Sequence, residues 1–200
     1  MPPSSNIRKY FDSSDSTRIV NALIELMGEG MTGTIADAYT KSIDLPVEEV
    51  SGTFENNLYG QTIYEKDSPK SYKLNVSHTP YWEVGKESGI SSREFTTDPY
   101  FKERGATSSW RLPTYPKTTA EHESVHGILR NIYGKHEKNT PFVRSETVPY
   151  YIQALALKRY YPELKKKLGK GYSDFVINRN EELIKELKKL SKKEYKEFIK

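Results

Sequence analysis

Two histidines four residues apart, with a glutamate directly after the first, give the pattern His-Glu-x-x-His at His122, Glu123 and His126. Residues four apart on an α-helix lie on nearly the same face, one turn apart along the axis. Both imidazole rings can therefore reach one metal ion at about 2 Å. Glu123 projects in a neighbouring direction, which suits a general base that takes a proton from water activated by the metal. The pattern predicts a hydrolytic Zn2+ site with His122 and His126 as ligands.

A zinc site of this kind needs a third protein ligand, and the chain has no cysteine to supply one. The downstream candidates are His136, Glu137 and Glu146. His136 lies ten residues after His126 and could turn back from a loop. Nineteen residues separate Glu146 from His126, which is enough for a helix end and a loop to bring a second helix against the first. We expect Glu146 to be the third ligand, with His136 as the alternative.

The motif needs a helix to position it, and the neighbouring residues predict one over Thr119–Tyr133. Thr118 and Glu121 match a capping box at its start. Apolar residues recur through it at helical spacing, at Val125, Ile128, Leu129, Ile132 and Tyr133. A second helix is predicted over Glu146–Tyr160, which would place Glu146 on its first turn.

The motif followed by a helical glutamate some twenty residues later resembles the gluzincin division of the zincin metallopeptidases, of which thermolysin is the familiar member. The resemblance covers about residues 118–160. It implies that His122, His126 and Glu146 bind zinc and that Glu123 is the general base in the hydrolysis of peptide bonds. It also implies a cleft, with the upstream sheet forming its upper half and the downstream helices its lower half.

One position departs from the thermolysin-like pattern, in which an aspartate four residues after the glutamate supports a motif histidine. Tyr150 stands at that place. Since Tyr150 follows Glu146 by about one helical turn, we expect it on the same face, as a candidate donor to the oxyanion of a tetrahedral intermediate. Tyr133 and Tyr151 are other candidates for this role, and so is His136.

The elements expected around the site fall into helices, then strands, then helices. A helix capped at Asp15-Ser16 is predicted to reach Met27, and a weaker one covers Thr34–Lys41. Strand-like stretches follow at Leu58–Tyr64, Tyr72–Val76, Tyr81–Val84 and Ser108–Leu112, with a hairpin turn at Asp67–Lys70. Near the end, a long helix is predicted over Ser173–Leu190, with Ser191 and Glu194 as a capping box for a last one.

This order predicts an α+β fold, since segregated helices and strands are typical of that class. We expect one zincin-like metallopeptidase domain over residues 1–200. Its upper subdomain, 1–134, would hold the N-terminal helix, a mixed sheet and the helix of the motif. Its lower subdomain, 135–200, would be helical, with the cleft between the two.

Composition excludes several classes of protein. The chain has 200 residues and no cysteine, so disulfide scaffolds, cysteine-based zinc fingers, iron–sulfur proteins and cysteine proteases are impossible. The formal net charge of +4 comes from residues 161–200, where 12 Lys and Arg face 7 Asp and Glu. Mixed charges of this kind are typical of a solvated helix face, so we expect no nucleic-acid partner.

The expected partner is a peptide or protein substrate. No apolar run approaches the length of a membrane span, so we expect no membrane partner. The sequence starts without the pattern of a signal peptide, so we expect a chain that is cytoplasmic or is exported without a cleavable signal. Two other functions remain open at this point. The chain could be a non-catalytic zinc-binding interaction protein, or a metalloprotease effector or toxin that cleaves a single target.

Overall fold

The computed structural model describes residues 5–51, 59–76, 115–134 and 141–200. A 3-10 turn at Ile7–Tyr10 precedes helix α1, Ser13–Met27. The side chain of Asp12 caps α1 by accepting from the backbone N–H of Ser14 and Asp15, and the Asp15 carboxylate accepts from the N–H of Asp12. The predicted cap at Asp15-Ser16 is therefore wrong, because Asp15 is the third residue of the helix and closes a capping box that begins at Asp12.

Helix α1 ends at Gly28, whose φ of +98° lies in a region that favours glycine. A 3-10 turn at Glu29–Met31 then leads into helix α2, Thr32–Ile43. The predicted weak second helix is thus confirmed, and it is longer than expected at both ends.

The described residues contain three strands in one sheet, β1 Val47–Val50, β2 Gly60–Glu65 and β3 Ser68–Asn75, in the order β1-β3-β2. β1 runs parallel to β3, and β2 runs antiparallel to it. The predicted hairpin is confirmed, but its turn lies at Lys66 and Asp67, which both adopt positive φ, and not at Asp67–Lys70, because residues 68–70 already belong to β3. The sequence analysis missed β1, and the strands predicted at 81–84 and 108–112 lie outside the described residues.

Helix α3, Pro116–Tyr133, carries the motif and lies at the centre of the described structure. It packs against α2, against β2 and β3, and against a later helix, α5 Thr147–Leu157. Its side chains are buried on nearly all faces, among them Ala120, Val125, Ile128 and Leu129. Because nearly all faces of α3 are packed, its polar side chains are held in fixed positions, as a binding or catalytic site requires.

The start of α3 differs from the prediction. Pro116 is its first residue, and the hydroxyl of Thr118 accepts from the backbone N–H of Tyr115. Glu121 takes no part in a capping box. Its carboxylate is fully buried and is drawn instead into an ion pair with the guanidinium of Arg18, which reaches it from α1.

The remaining helices follow α3. A short helix α4 covers Pro141–Arg144, α5 is extended by a 3-10 turn at Lys158–Tyr160, α6 covers Tyr161–Leu168, and α7 covers Lys170–Phe198. The predicted capping box at Ser191 is wrong, since α7 continues through it. Ser191 is fully buried, and Leu187 and Tyr195, one turn before and after it, lie in the core, so packing carries the helix past this residue.

A buried network of charges joins three of these elements. Arg159, just after α5, pairs with Asp15 of α1, and its guanidinium lies 3.6 Å from a carboxylate oxygen of Glu121 in α3. Lys117 lies 2.8 Å from Asp15. Burial raises the pKa of Glu121 to about 7, against the opposing effect of Arg18. The network ties the start of α3 and the end of α5 to α1.

The α+β class is therefore confirmed for the described part of the chain, with a small mixed sheet and a larger set of helices. Across the described residues, no helix is both long and apolar enough to span a bilayer.

Candidate metal centre

Three predicted ligands meet between α3 and the start of α5. Oε2 of Glu146 lies 2.9 Å from Nε2 of His122 and 3.1 Å from Nε2 of His126. All three ligand atoms lie within 4.8 Å of one another. The structure therefore brings Glu146 to the two histidines, as the sequence predicted. His136 and Glu137, the other predicted candidates, lie outside the described residues.

Helix α3 places the two histidines on one face, as their spacing requires. Both rings are largely buried, and they meet edge to face with their centroids 5.2 Å apart. Gly127 follows His126 and allows a close approach on the opposite side, since a Cβ there would lie 2.3 Å from the Tyr72 hydroxyl. That hydroxyl donates to the backbone carbonyl of Ser42 at 3.0 Å, so it joins β3 to α2 directly beside α3.

Glu146 comes from the residue immediately before α5, at the N-cap position, and not from its first turn as predicted. The start of α5 is held by side chains. The backbone N–H of Thr147 donates to the hydroxyl of Ser145, which in turn lies 2.8 Å from the Thr147 hydroxyl. The Thr147 hydroxyl donates to Glu194 of α7 at 3.0 Å. Helix α7 therefore supports the segment that delivers the third ligand.

The electrostatics of the cluster fit a bound cation. Burial alone would raise the pKa of Glu146, but the hydrogen bonds and charges of the two histidines hold it well below its usual range. Burial alone would lower the pKa of His122, but the hydrogen bond and charge of Glu146, with Glu123 and Gln153, raise it overall. An ionised carboxylate thus stabilises positive charge at the place where the three ligand atoms converge.

Gln153 is a polar residue of the site that the sequence analysis missed. Its Oε1 lies 2.8 Å from Nδ1 of His122, the ring nitrogen away from Glu146. Seven residues, or about two helical turns, separate Gln153 from Glu146, so α5 presents both to α3 on one face. This spacing is the signal that could have identified it. The departure noted at Tyr150 thus leaves His122 with a partner one turn further along α5.

Glu123 lies beside the histidines and faces strand β2. The hydroxyl of Thr62 lies 2.6 Å from Oε2 of Glu123 and 3.0 Å from its backbone carbonyl. Gly60 allows the strand to come this close, since a Cβ at that position would lie 2.9 Å from Cγ of Glu123. Sequence reasoning missed both strand residues. Thr62 is an ordinary strand residue, whereas Gly60 carried a signal, since a glycine within a strand often marks a close approach of another element.

The three tyrosines predicted as oxyanion donors lie in different parts of the structure. The ring of Tyr150 packs edge-on against His122, with centroids 4.7 Å apart. Tyr133 lies elsewhere, in a cluster with Phe142, Phe198 and Tyr195. Burial raises the pKa of Tyr151, and the charges of Lys188 in α7 and Glu25 in α1 also act on it, so this tyrosine faces those two helices. Only Tyr150 among the three therefore borders the histidine cluster.

A further tyrosine approaches the site from the sheet. Burial raises the pKa of Tyr64 to about 12, and the charges of Glu123 and Glu146 contribute to the rise. The guanidinium of Arg130 lies 4.7 Å from the centre of its ring. Tyr64 therefore lies close enough to both carboxylates for their charges to act on its phenol, and the sequence analysis did not identify it.

The donor set matches what zinc accepts. Two imidazole nitrogens and one carboxylate oxygen are a ligand set of catalytic zinc sites, in which three protein ligands leave a coordination position open. A carboxylate directly beside two of these ligands is placed to accept a proton. Comparison of the chain with protein-family models, with curated proteins and with solved structures finds no match.

Proposed function

We propose that the chain is a zinc-dependent metallopeptidase that hydrolyses peptide bonds, with His122, His126 and Glu146 as metal ligands. One observation carries this proposal. Oε2 of Glu146 approaches the same ring nitrogen of both histidines, although it comes from another helix. Simple helix packing does not require a carboxylate at that point, whereas a bound cation does.

In this proposal Glu123 is the general base. When bound, zinc would lower the pKa of water and polarise a substrate carbonyl. Glu123 would accept the proton and later return it to the leaving amine, while Thr62 orients its carboxylate through Oε2. Tyr150, against the ring of His122, would donate a hydrogen bond to the oxyanion.

The architecture proposed for the enzyme is that of a gluzincin-type zincin. The sheet and α3 would form the upper wall of a cleft, and α5 with the helices after it the lower wall. The ligands support this division, since two come from α3 and one precedes α5. A peptide or protein would bind between the two walls.

Metal analysis and a base substitution test this function together. The purified wild-type protein should hold about one zinc per chain, as catalytic sites do, and should cleave a mixture of quenched peptides or unfolded casein. Glu123→Gln should keep the zinc and lose at least about 100-fold in rate, the usual contribution of a general base. The matched control is Glu182→Gln, an exposed glutamate of α7 that should change neither.

The outcomes separate the alternatives. A wild-type protein without zinc contradicts the metal site. If the protein holds zinc but cleaves neither the quenched peptides nor casein, the result contradicts a general peptidase. It then favours the interaction protein or the single-target protease. Equal cleavage by Glu123→Gln and wild type contradicts the assignment of the base.

A further inference from the structure

Gln153 is buried in the interface between α5 and α3, with only 3% of its surface exposed. It contacts the site through Oε1, which lies 2.8 Å from Nδ1 of His122. An amide oxygen can only accept a hydrogen bond, so Nδ1 of His122 is the donor in this contact. On the other side of the ring Nε2 faces the Glu146 carboxylate at 2.9 Å, and a metal bound there would take the place of the Nε2 proton.

We propose that Gln153 is a positioning residue that accepts a hydrogen bond from Nδ1 of His122 and so orients the ring with Nε2 toward Glu146 and the metal. The inference rests on the proposed metal site. A histidine binds a metal through one ring nitrogen, and the hydrogen bond of the other nitrogen fixes the orientation of the ring. Because Gln153 occupies Nδ1, Nε2 is the nitrogen that a metal would bind.

The same helix supplies both the ligand and the residue that orients the opposite ligand. Glu146 precedes α5 and Gln153 lies two turns into it, so both meet His122 from one rigid element. A shift of α5 along α3 would displace both contacts at once. The orientation of the ring is thus tied to the position of Glu146.

Gln153 is a neutral amide, and this sets the electronic character of the site. A carboxylate at that place would draw the Nδ1 proton and strengthen Nε2 as a donor to the metal. With an amide, His122 donates less charge, and Glu146 is the only anionic member of the ligand set. We therefore expect the wild type to bind zinc less tightly than Gln153→Glu does.

Zinc affinity measured with the metal alone tests this role and needs no substrate. Competition with a chromophoric chelator should show about 10- to 100-fold weaker binding in Gln153→Met, which keeps the shape and loses the acceptor. Gln153→Glu keeps an acceptor and should bind zinc at least as tightly as wild type. The matched control is Asn180→Leu, which removes another buried amide that contacts α5, at the carbonyl of Ala154, and should leave zinc affinity unchanged.

Ring-nitrogen NMR of the zinc-loaded protein gives a second measurement that needs no activity. The signals of His122 should show zinc on Nε2 and a proton on Nδ1. In Gln153→Met the Nδ1 proton should exchange faster with water, because its acceptor is gone.

The results separate the two proposals. Unchanged zinc affinity in Gln153→Met, or zinc bound to Nδ1 of His122 in the wild type, overturns the role of Gln153. Failure of the wild type to bind zinc overturns the proposed function and this role with it. Should Gln153→Met not fold, the zinc-loaded wild type and the affinity of Gln153→Glu carry the test, and weaker binding by Gln153→Glu contradicts the role.

Discussion

The hydroxyl of Thr62 in β2 lies 2.6 Å from Oε2 of Glu123 in α3, so a strand of the sheet holds the carboxylate next to the motif histidines. The contact is buried on both sides. The same hydroxyl lies 3.0 Å from the backbone carbonyl of Glu123, so one threonine of the sheet contacts both the side chain and the backbone of this residue.

We expect Thr62→Val to lower the free energy of unfolding by about 1 to 3 kcal/mol, because it leaves a buried carboxylate without its donor. Urea unfolding measures this change. Thr62→Ser retains the hydroxyl and should lose less. In a Glu123→Ala background the cost of Thr62→Val should shrink, since the two residues are coupled. An equal cost in both backgrounds would show that the hydrogen bond contributes nothing.

Gly60→Ala should destabilise the protein by about 1 to 3 kcal/mol through overpacking. The added Cβ would lie 2.6 Å from Cγ2 of Thr119 and 2.9 Å from Cγ of Glu123. Gly33 in α2 is the control, since a Cβ there meets nothing within 4 Å. Gly33→Ala should stabilise the helix by about 0.5 to 1 kcal/mol. Equal thermal unfolding of the two variants would contradict the close approach of β2 to α3.

Arg159→Ala should lower the free energy of unfolding by about 3 kcal/mol, since it removes a cation from two fully buried carboxylates. Those carboxylates belong to Asp15 and Glu121. Arg179→Ala is the matched change on the surface, where the pair with Glu182 is solvated and should contribute less than about 1 kcal/mol. Urea unfolding of the two variants side by side checks the difference, and similar losses would show that the buried network is not stabilising.

Zinc should stabilise the folded chain by mass action. At a free concentration of 100 times its dissociation constant, a ligand that binds only the folded state adds about 2.7 kcal/mol. For a chain of this length that is a rise in Tm of roughly 5 to 10 °C. EDTA should reverse the rise, and His122→Ala and Glu146→Gln should abolish it. A rise of equal size in Glu146→Gln would exclude Glu146 as a ligand.

The meeting of His122, His126 and Glu146 was predictable from sequence, because it depends on helical periodicity and on how few other candidate residues the chain offers. His122 and His126 are fixed by helical spacing, and a chain without cysteine offers few third ligands. Glu146 could be chosen since a helix start after a loop can return to α3. The contact itself is a tertiary fact that the structure supplies.

The residues around the ligands were not predictable in the same way. Thr62 and Gln153 are of common types, and their roles arise only when β2 and α5 pack against α3. Ser191 shows the opposite error, where a valid local capping signal is overridden by burial of its neighbours in α7. Local sequence signals describe each segment in isolation, whereas packing against the rest of the protein decides which signal takes effect.

The hydrogen bond from Thr147 to Glu194 has a consequence for the order in which the site is completed during synthesis. A nascent chain that has reached Arg159 already contains all three ligands and Gln153. Glu194, through which α7 supports the start of α5, is added thirty-five residues after Arg159. We therefore expect ribosome-bound chains that stop before Glu194 to capture metal poorly, so that loading of the ion follows translation of α7.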